Sequence, residues 1–217
     1  MLSTMATTTE APLSEQSILA TLGDSGDMTG ATAVRLMMAA ADAFADRGFH
    51  ATTTRDIASR AGLSPAGVYV HFTSKEDLLF ELSRRGHQTA RDQLVAAAEA
   101  ADSPTEALRS LIAGFSTWHA EHHQLGRIVQ FEFRHLTPQH RDTVLALRKE
   151  IDKVVRDVLT QGVAEGDFEV DDVPGTALAL LSLAVDVARW YSPEIRRTPA
   201  DIGRTNGELA VRLVARR

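Results

Sequence analysis

Residues 53–72 read Thr53-Thr54-Arg55-Asp56-Ile57-Ala58-Ser59-Arg60-Ala61-Gly62-Leu63-Ser64-Pro65-Ala66-Gly67-Val68-Tyr69-Val70-His71-Phe72. Thr53 is placed to cap a helix in which Ile57, Ala58 and Ala61 recur at three-to-four spacing. Gly62 ends that helix, because glycine enters left-handed backbone without steric cost. Ser64 caps the next helix at once and Pro65 opens it: the hydroxyl accepts an orphan N–H, and proline has none to leave unpaired. Two helices joined by a three-residue turn make a helix-turn-helix.

Small residues at Ala58 and Ala61 let the two helices approach closely, with Leu63, Val68 and Phe72 filling the seam. Pro65, Ala66, Gly67, Tyr69 and His71 are left facing outward, and this narrow leading end suits a DNA major groove. Tyr69, His71 and Lys75 supply donors for phosphates, while Thr54 and the helix N-termini add more. Arg55, Ser64 and Tyr69 are the candidate base readers, so part of any selectivity falls to methyl contacts and DNA shape. The competing reading of the same spacing is a helical hairpin buried in a bundle.

The net charge of −6 argues at first against a polyanionic partner, but the charge is segregated. Residues 1–30 hold four acidic and no basic residues, residues 31–85 seven basic and six acidic, and the remainder sixteen basic and nineteen acidic. Only the helix-turn-helix block is on the positive side. At 217 residues, 44% of them hydrophobic, the chain can bury one large core or one large and one small. The absence of cysteine excludes a disulfide framework, a thiolate metal site and a thiol nucleophile. No uncharged apolar run reaches the roughly 18 residues of a bilayer span, and no Lys or Arg in the first thirty residues starts a signal peptide. A cytoplasmic location with no membrane partner is expected.

Beyond an arm at 1–30 the pattern is helical throughout, with no β-sheet expected. The pairs Ser64-Pro65, Ser103-Pro104, Thr137-Pro138 and Thr198-Pro199 mark helix starts, and Glu106 completes a capping box with Ser103. Gly48, Gly62 and Gly166 mark helix stops. Nine helices result, at about 31–47, 54–61, 65–71, 74–101, 104–122, 124–135, 138–165, 174–191 and 199–215. The short ones come first and the long ones follow, which divides the chain into an arm (1–30), a helix-turn-helix domain (31–75) and a larger helical bundle (76–217).

Arg47-Gly48-Phe49, Thr53 to Ala58, Ala61 to Ser64, Val68 to Phe72 and Ser74 to Leu79 together resemble the DNA-binding domain of the TetR family of bacterial transcriptional regulators. The resemblance runs without gaps over roughly residues 31–80; the rest is similar in helix number and length. It implies an all-α homodimer whose first three helices bind a half-site of a double-stranded, pseudo-palindromic operator, and a C-terminal domain whose ligand releases the DNA. By position, Thr53, Thr54, Arg55, Ser64, Pro65, Ala66, Gly67, Tyr69, His71 and Lys75 are the implied DNA-contact set. The arm is acidic here, so it is not expected to enter the minor groove.

In the C-terminal half, Ala177 to Val185 is apolar all round and demands cover on every side, from its own domain and from a second subunit. With Leu209, Val211, Leu213 and Val214 of the last helix it makes a candidate dimer interface through the last two helices. The resemblance also implies a ligand cavity, for which Leu94, Leu111, Phe115, Trp118, Ile128, Phe131, Leu147, Ile151 and Leu181 are the principal apolar candidates, beside Leu108 and Ile112. Such a cavity suits a small lipophilic effector, with Arg134 and Arg148 meeting a carboxylate or phosphate at its mouth. The ending Ala188-Arg189-Trp190-Tyr191-Ser192-Pro193 is similar to that of family members regulating fatty-acid metabolism, which points to a fatty acyl-coenzyme A. The alternative is a lipophilic or cationic drug controlling an efflux pump, with Glu132 and Asp186 as counter-charges.

An enzyme reading rests on His119, His122 and His123, joined by Glu121 or Glu132, as a metal-dependent hydrolase site. The order is not that of a zinc protease, and no phosphate-cradling loop, dinucleotide fingerprint or Ser-His-Asp set is present. No cofactor and no catalytic activity are expected.

Overall fold

The computed structural model describes residues 28–216. Among these, the helices are α1 (Met28–Ala51), α2 (Thr54–Arg60), α3 (Pro65–Tyr69), α4 (Lys75–Glu99), α5 (Pro104–Glu121) and α6 (His123–Phe131). A single 3-10 turn (Glu132–His135) follows, then α7 (Pro138–Glu165), α8 (Val173–Val185) with a one-turn continuation (Val187–Trp190), and α9 (Pro199–Val214). No strand occurs among the described residues; Phe168 and Ala215 form one isolated antiparallel bridge. Most of the acidic arm lies outside the described residues.

Local chemistry sets these boundaries. Ser64, Ser103, Thr137 and Thr198 each accept a hydrogen bond from the backbone N–H three residues on, and proline follows each of them. Gly48, Gly62 and Gly166 are the three described residues with positive φ, at 74°, 65° and 85°. At Gly62 the stop is a Schellman motif, with Leu63 N–H donating to the Ala58 carbonyl and Gly62 N–H to that of Ser59.

Two expectations need correction. Ser103 caps α5 without a reciprocal box, because the Glu106 carboxylate turns to Arg109 and Ser110; the reciprocal boxes are Thr53 with Asp56 and Thr198 with Asp201. The first helix breaks at Gly48 as expected, and the short turn that follows to Ala51 is closed by Thr52, which donates its hydroxyl to the Ala43 and Gly48 carbonyls. The eighth helix is interrupted at Asp186, whose carbonyl accepts from the Arg189 N–H three residues on, and the continuation ends where Arg127 of α6 donates to the carbonyls of Ala188 and Tyr191.

Two cores hold the fold. The first joins Leu36, Met37 and Phe44 of α1, Ile57 of α2, Val68 of α3 and Leu78, Leu79 and Leu82 of α4 to Leu125, Ile128 and Val129 of α6. Leu36, Leu79 and Leu125 have no exposed surface, and burial of each contributes about 1.5–3 kcal/mol. The second gathers Leu94 from the far end of α4 with Leu108, Leu111, Ile112, Val155, Leu159, Leu180 and Val214 of α5, α7, α8 and α9. α9 lies directly on α5 because Gly203 and Gly207 face it: a Cβ at those positions would stand 2.5 Å from the Ala113 carbonyl and 2.7 Å from that of Arg109.

Candidate functional site: an exposed helix-turn-helix and an open-sided cavity

α2 and α3 pack through Ile57, Ala58, Ala61 and Val68, all buried, so their other faces are free. Thr53, Arg55, Ser64, Pro65, Ala66 and Tyr69 are exposed, and Thr54, Gly67, His71 and Lys75 are half-buried. Tyr69 is 58% and Val70 79% exposed, large apolar surface that the monomer does not cover. Val70 is absent from the expected contact set, although this residue, which caps the C-terminal end of α3, is the most exposed of the large apolar side chains. The Thr53 and Ser64 hydroxyl oxygens are occupied as caps, accepting from Asp56 N–H and Gly67 N–H. Lys75 is also engaged: Nζ donates to the carbonyls of Phe49 (2.6 Å), Thr52 (2.8 Å) and His50 (3.3 Å). It neutralises the end of α1 and lies 4.4 Å from the Phe49 ring centre.

Behind this head, α4, α5, α6, α7 and α8 line a cavity of about 570 Å³ that opens to the surface beside the exposed Leu145 and Leu178. Phe115, Trp118, Val129, Ile151, Leu181 and Val185 give it an apolar wall, while His87, His119, Gln130, Lys149 and Arg156 supply polar points. Arg148 enters from α7 with no ion-pair partner among the described residues. Its Nε donates to His87 Nε2 at 3.1 Å, its guanidinium lies 4.4 Å from the Phe133 ring centre, and burial lowers its pKa. A cation placed so, without a carboxylate, is a receptor for an anionic or carbonyl oxygen. Arg156 is ion-paired with Asp152, yet its buried Nε has no acceptor.

Both histidines lining the cavity are neutral. His87 Nδ1 donates to the Ser83 carbonyl (2.7 Å) and His119 Nδ1 to that of Phe115 (2.8 Å), and burial lowers both pKa values to about 4.

Comparison with known proteins decides the family. Residues 36–82 match the profile described as bacterial regulatory proteins, tetR family, and residues 101–214 match the tetracyclin repressor-like C-terminal domain. The chain belongs to the TetR family. This TetR-family chain is 37% identical over 162 residues to the HTH-type transcriptional repressor KstR2 of Mycolicibacterium smegmatis, covering 73% of this chain and 78% of that one. It is similar in structure to a tetR-family regulatory protein from Rhodococcus RHA1, with a TM-score of 0.80, 35% identity and 85% and 97% of the two chains covered. The ketosteroid transcriptional regulator KstR2 of Mycobacterium tuberculosis superposes with a TM-score of 0.79 at 29% identity, over 91% and 100% of the chains.

In this TetR-family fold the cavity collects five of the expected lining residues, Phe115, Trp118, Arg148, Ile151 and Leu181. The others lie elsewhere. Leu94 and Leu111, with Leu108 and Ile112, are buried in the second core; Ile128 faces the first core; Leu147 is buried off the cavity wall. Phe131 is 52% exposed beside a smaller hollow, and Arg134 is exposed on the 3-10 turn. The sequence reading missed His87, Lys149 and Arg156, because a helical stripe marks what is apolar and buried, not which buried face meets a void.

The hydrolase reading fails on geometry and on family, since TetR-family members regulate transcription. His119 turns into the cavity, His122 stacks on Trp118, and His123 meets the edge of Tyr191. No three His, Asp or Glu groups among the described residues converge to hold a metal.

Leu178 (65%), Leu183, Trp190, Leu209 and Leu213 (62%) are exposed along α8, its continuation and α9, so this apolar surface lies uncovered in the monomer.

Proposed function

We propose that the protein is a cytoplasmic repressor acting as a dimer. Two α3 helices enter successive major grooves of a pseudo-palindromic operator about 34–36 Å apart, and an anionic lipophilic effector, in first place a fatty acyl-coenzyme A, releases the DNA. Residues up to about 75 act as the reading head and those beyond it as sensor and dimer module. The exposed leucines of α8 and α9 supply the apolar core that a two-fold interface needs. The repressor sense is taken from the mycobacterial KstR2 relatives, which are named repressors.

The carrying observation is the cavity: about 570 Å³, apolar in its walls, with an uncompensated Arg148. That volume lies within the roughly 300–1,000 Å³ usual for small-molecule sites and takes a long acyl chain or fused rings. The latter accords with the ketosteroid named for the structural relative. A cationic drug is disfavoured: Glu132 accepts from Phe49 N–H and pairs with His135, both Asp186 oxygens are taken by Arg189, and Asp152 pairs with Arg156.

Transmission has a short physical route. Val129 of α6 lines the cavity and belongs to the core of the reading head, and Trp118 packs against that same core. The 3-10 turn continues the contact, with Glu132 accepting from Phe49 N–H and His135 stacked on Phe49. A ligand that fits only one setting of α6 shifts the head by its difference in affinity for the two settings.

The test is a gel-shift titration of the purified protein on DNA upstream of its own gene, with a chain-length series of acyl-coenzyme A esters. A specific shift reversed by one length class is expected. A shift indifferent to every ester removes the acyl-coenzyme A assignment, and no shift on any such DNA removes the operator assignment.

A further inference from the structure

His119 carries an acceptor that nothing in the protein uses. A carbonyl can only accept, so the 2.8 Å contact between Nδ1 and the Phe115 carbonyl fixes the proton on Nδ1 and leaves a lone pair on Nε2. The side chain is 5% exposed and lines the cavity, and Nε2 has no hydrogen-bond partner among the described residues. The ring is wedged edge-on between Phe115 and Trp118, with Gly126 against its Cδ2 edge, so it has little freedom to turn away. His87 differs in this respect, because Arg148 already donates to its Nε2.

Nε2 faces the cavity, so a ligand that fills the space and displaces water without donating to it leaves the acceptor unmade, at a cost comparable to a lost hydrogen bond, and this discriminates against ligands that cannot satisfy it. Resting on the effector reading of this cavity, we infer that the effector presents a hydrogen-bond donor, a hydroxyl or an amide N–H, to His119 Nε2, while Arg148 receives its carbonyl or anionic oxygen. The cavity is thus selective for an oxygenated or amide-bearing lipophile over a plain saturated chain. Two sources of the donor are open: a hydroxyl on the lipophilic body, and an amide N–H of the pantetheine arm.

Isothermal titration of the full chain with dodecanoic acid, its monohydroxylated isomers and dodecanoyl-coenzyme A separates these. At least one hydroxylated isomer, or the ester, should bind about tenfold more tightly than the plain acid. In His119→Phe, which keeps the ring and removes the acceptor, that advantage should vanish while the plain acid binds as well or better. Loss confined to the hydroxylated acids identifies a hydroxyl; loss confined to the ester identifies the amide. An advantage unchanged by His119→Phe, or no advantage for any donor-bearing probe, overturns the inference and leaves the cavity reading standing. Binding of no probe at all overturns both. In wild-type protein with ¹⁵N-labelled histidine, the pyridine-type Nε2 signal of His119 should move upfield on saturation with the preferred probe. That readout does not depend on the variant folding, and an unmoved signal counts against the assignment.

Discussion

Lys75 Nζ lies 2.6 Å from the carbonyl oxygen of Phe49, so the first residue of α4 ties down the end of α1. With the Thr52 and His50 carbonyls also within reach, its donors are spent inside the protein. Lys75→Met should lower unfolding free energy by about 1–2 kcal/mol, as urea denaturation would measure. The salt dependence of operator binding should keep its slope, whereas a lost phosphate contact would reduce it by about 0.9 in log–log terms. A reduced slope would return Lys75 to the DNA-contact set.

Tyr69 is exposed at the end of α3 and packs on no other element of the monomer's cores. Tyr69→Ala should therefore cost operator affinity tenfold or more while leaving the thermal midpoint and the dimer unchanged. Wild-type affinity in a gel shift would rule out docking of α3 in the groove.

Val129 touches both the cavity and the head. Val129→Ala should retain operator binding but blunt its reversal by effector, because the wall that reports occupancy no longer fills the space between them. The relevant comparison is effector affinity by titration against effector concentration for half-release of DNA; if the two move together, the coupling runs elsewhere.

Burial depresses the pKa values of His87 and His119 to about 4. In the unfolded chain these groups take up protons near pH 6.5, so between about 4 and 6.5 the unfolded state binds more protons than the folded one. Unfolding free energy should therefore rise with pH across that window and level off above it, each histidine accounting for roughly 3 kcal/mol over the full range. Urea midpoints at pH 5 and pH 7.5 test the sign, and His119→Phe should remove about half of the difference.

The parts of this fold that were legible in sequence are those decided within three or four residues. Ser64, Ser103, Thr137 and Thr198 cap because hydroxyl and proline stand in one place, and Gly48, Gly62 and Gly166 turn left-handed because no side chain opposes it. The cavity was legible only in part, since Leu111 and Phe115 share a stripe on α5 yet only Phe115 reaches the void. Arg148 was visible as a charge, but that no carboxylate meets it is a fact of tertiary placement.

Leu125, Ile128 and Val129, carried by α6, complete the same core as Leu36 and Phe44 of α1. The seam between reader and sensor therefore does not coincide with the turn between α3 and α4. A chimaera that grafted residues up to 75 onto another sensor would transplant a head with its floor missing. Interchangeable operator specificity in this scaffold has to be sought by rewriting the outward residues of α2 and α3 in place, and the inner surface of the head can change only in step with α6.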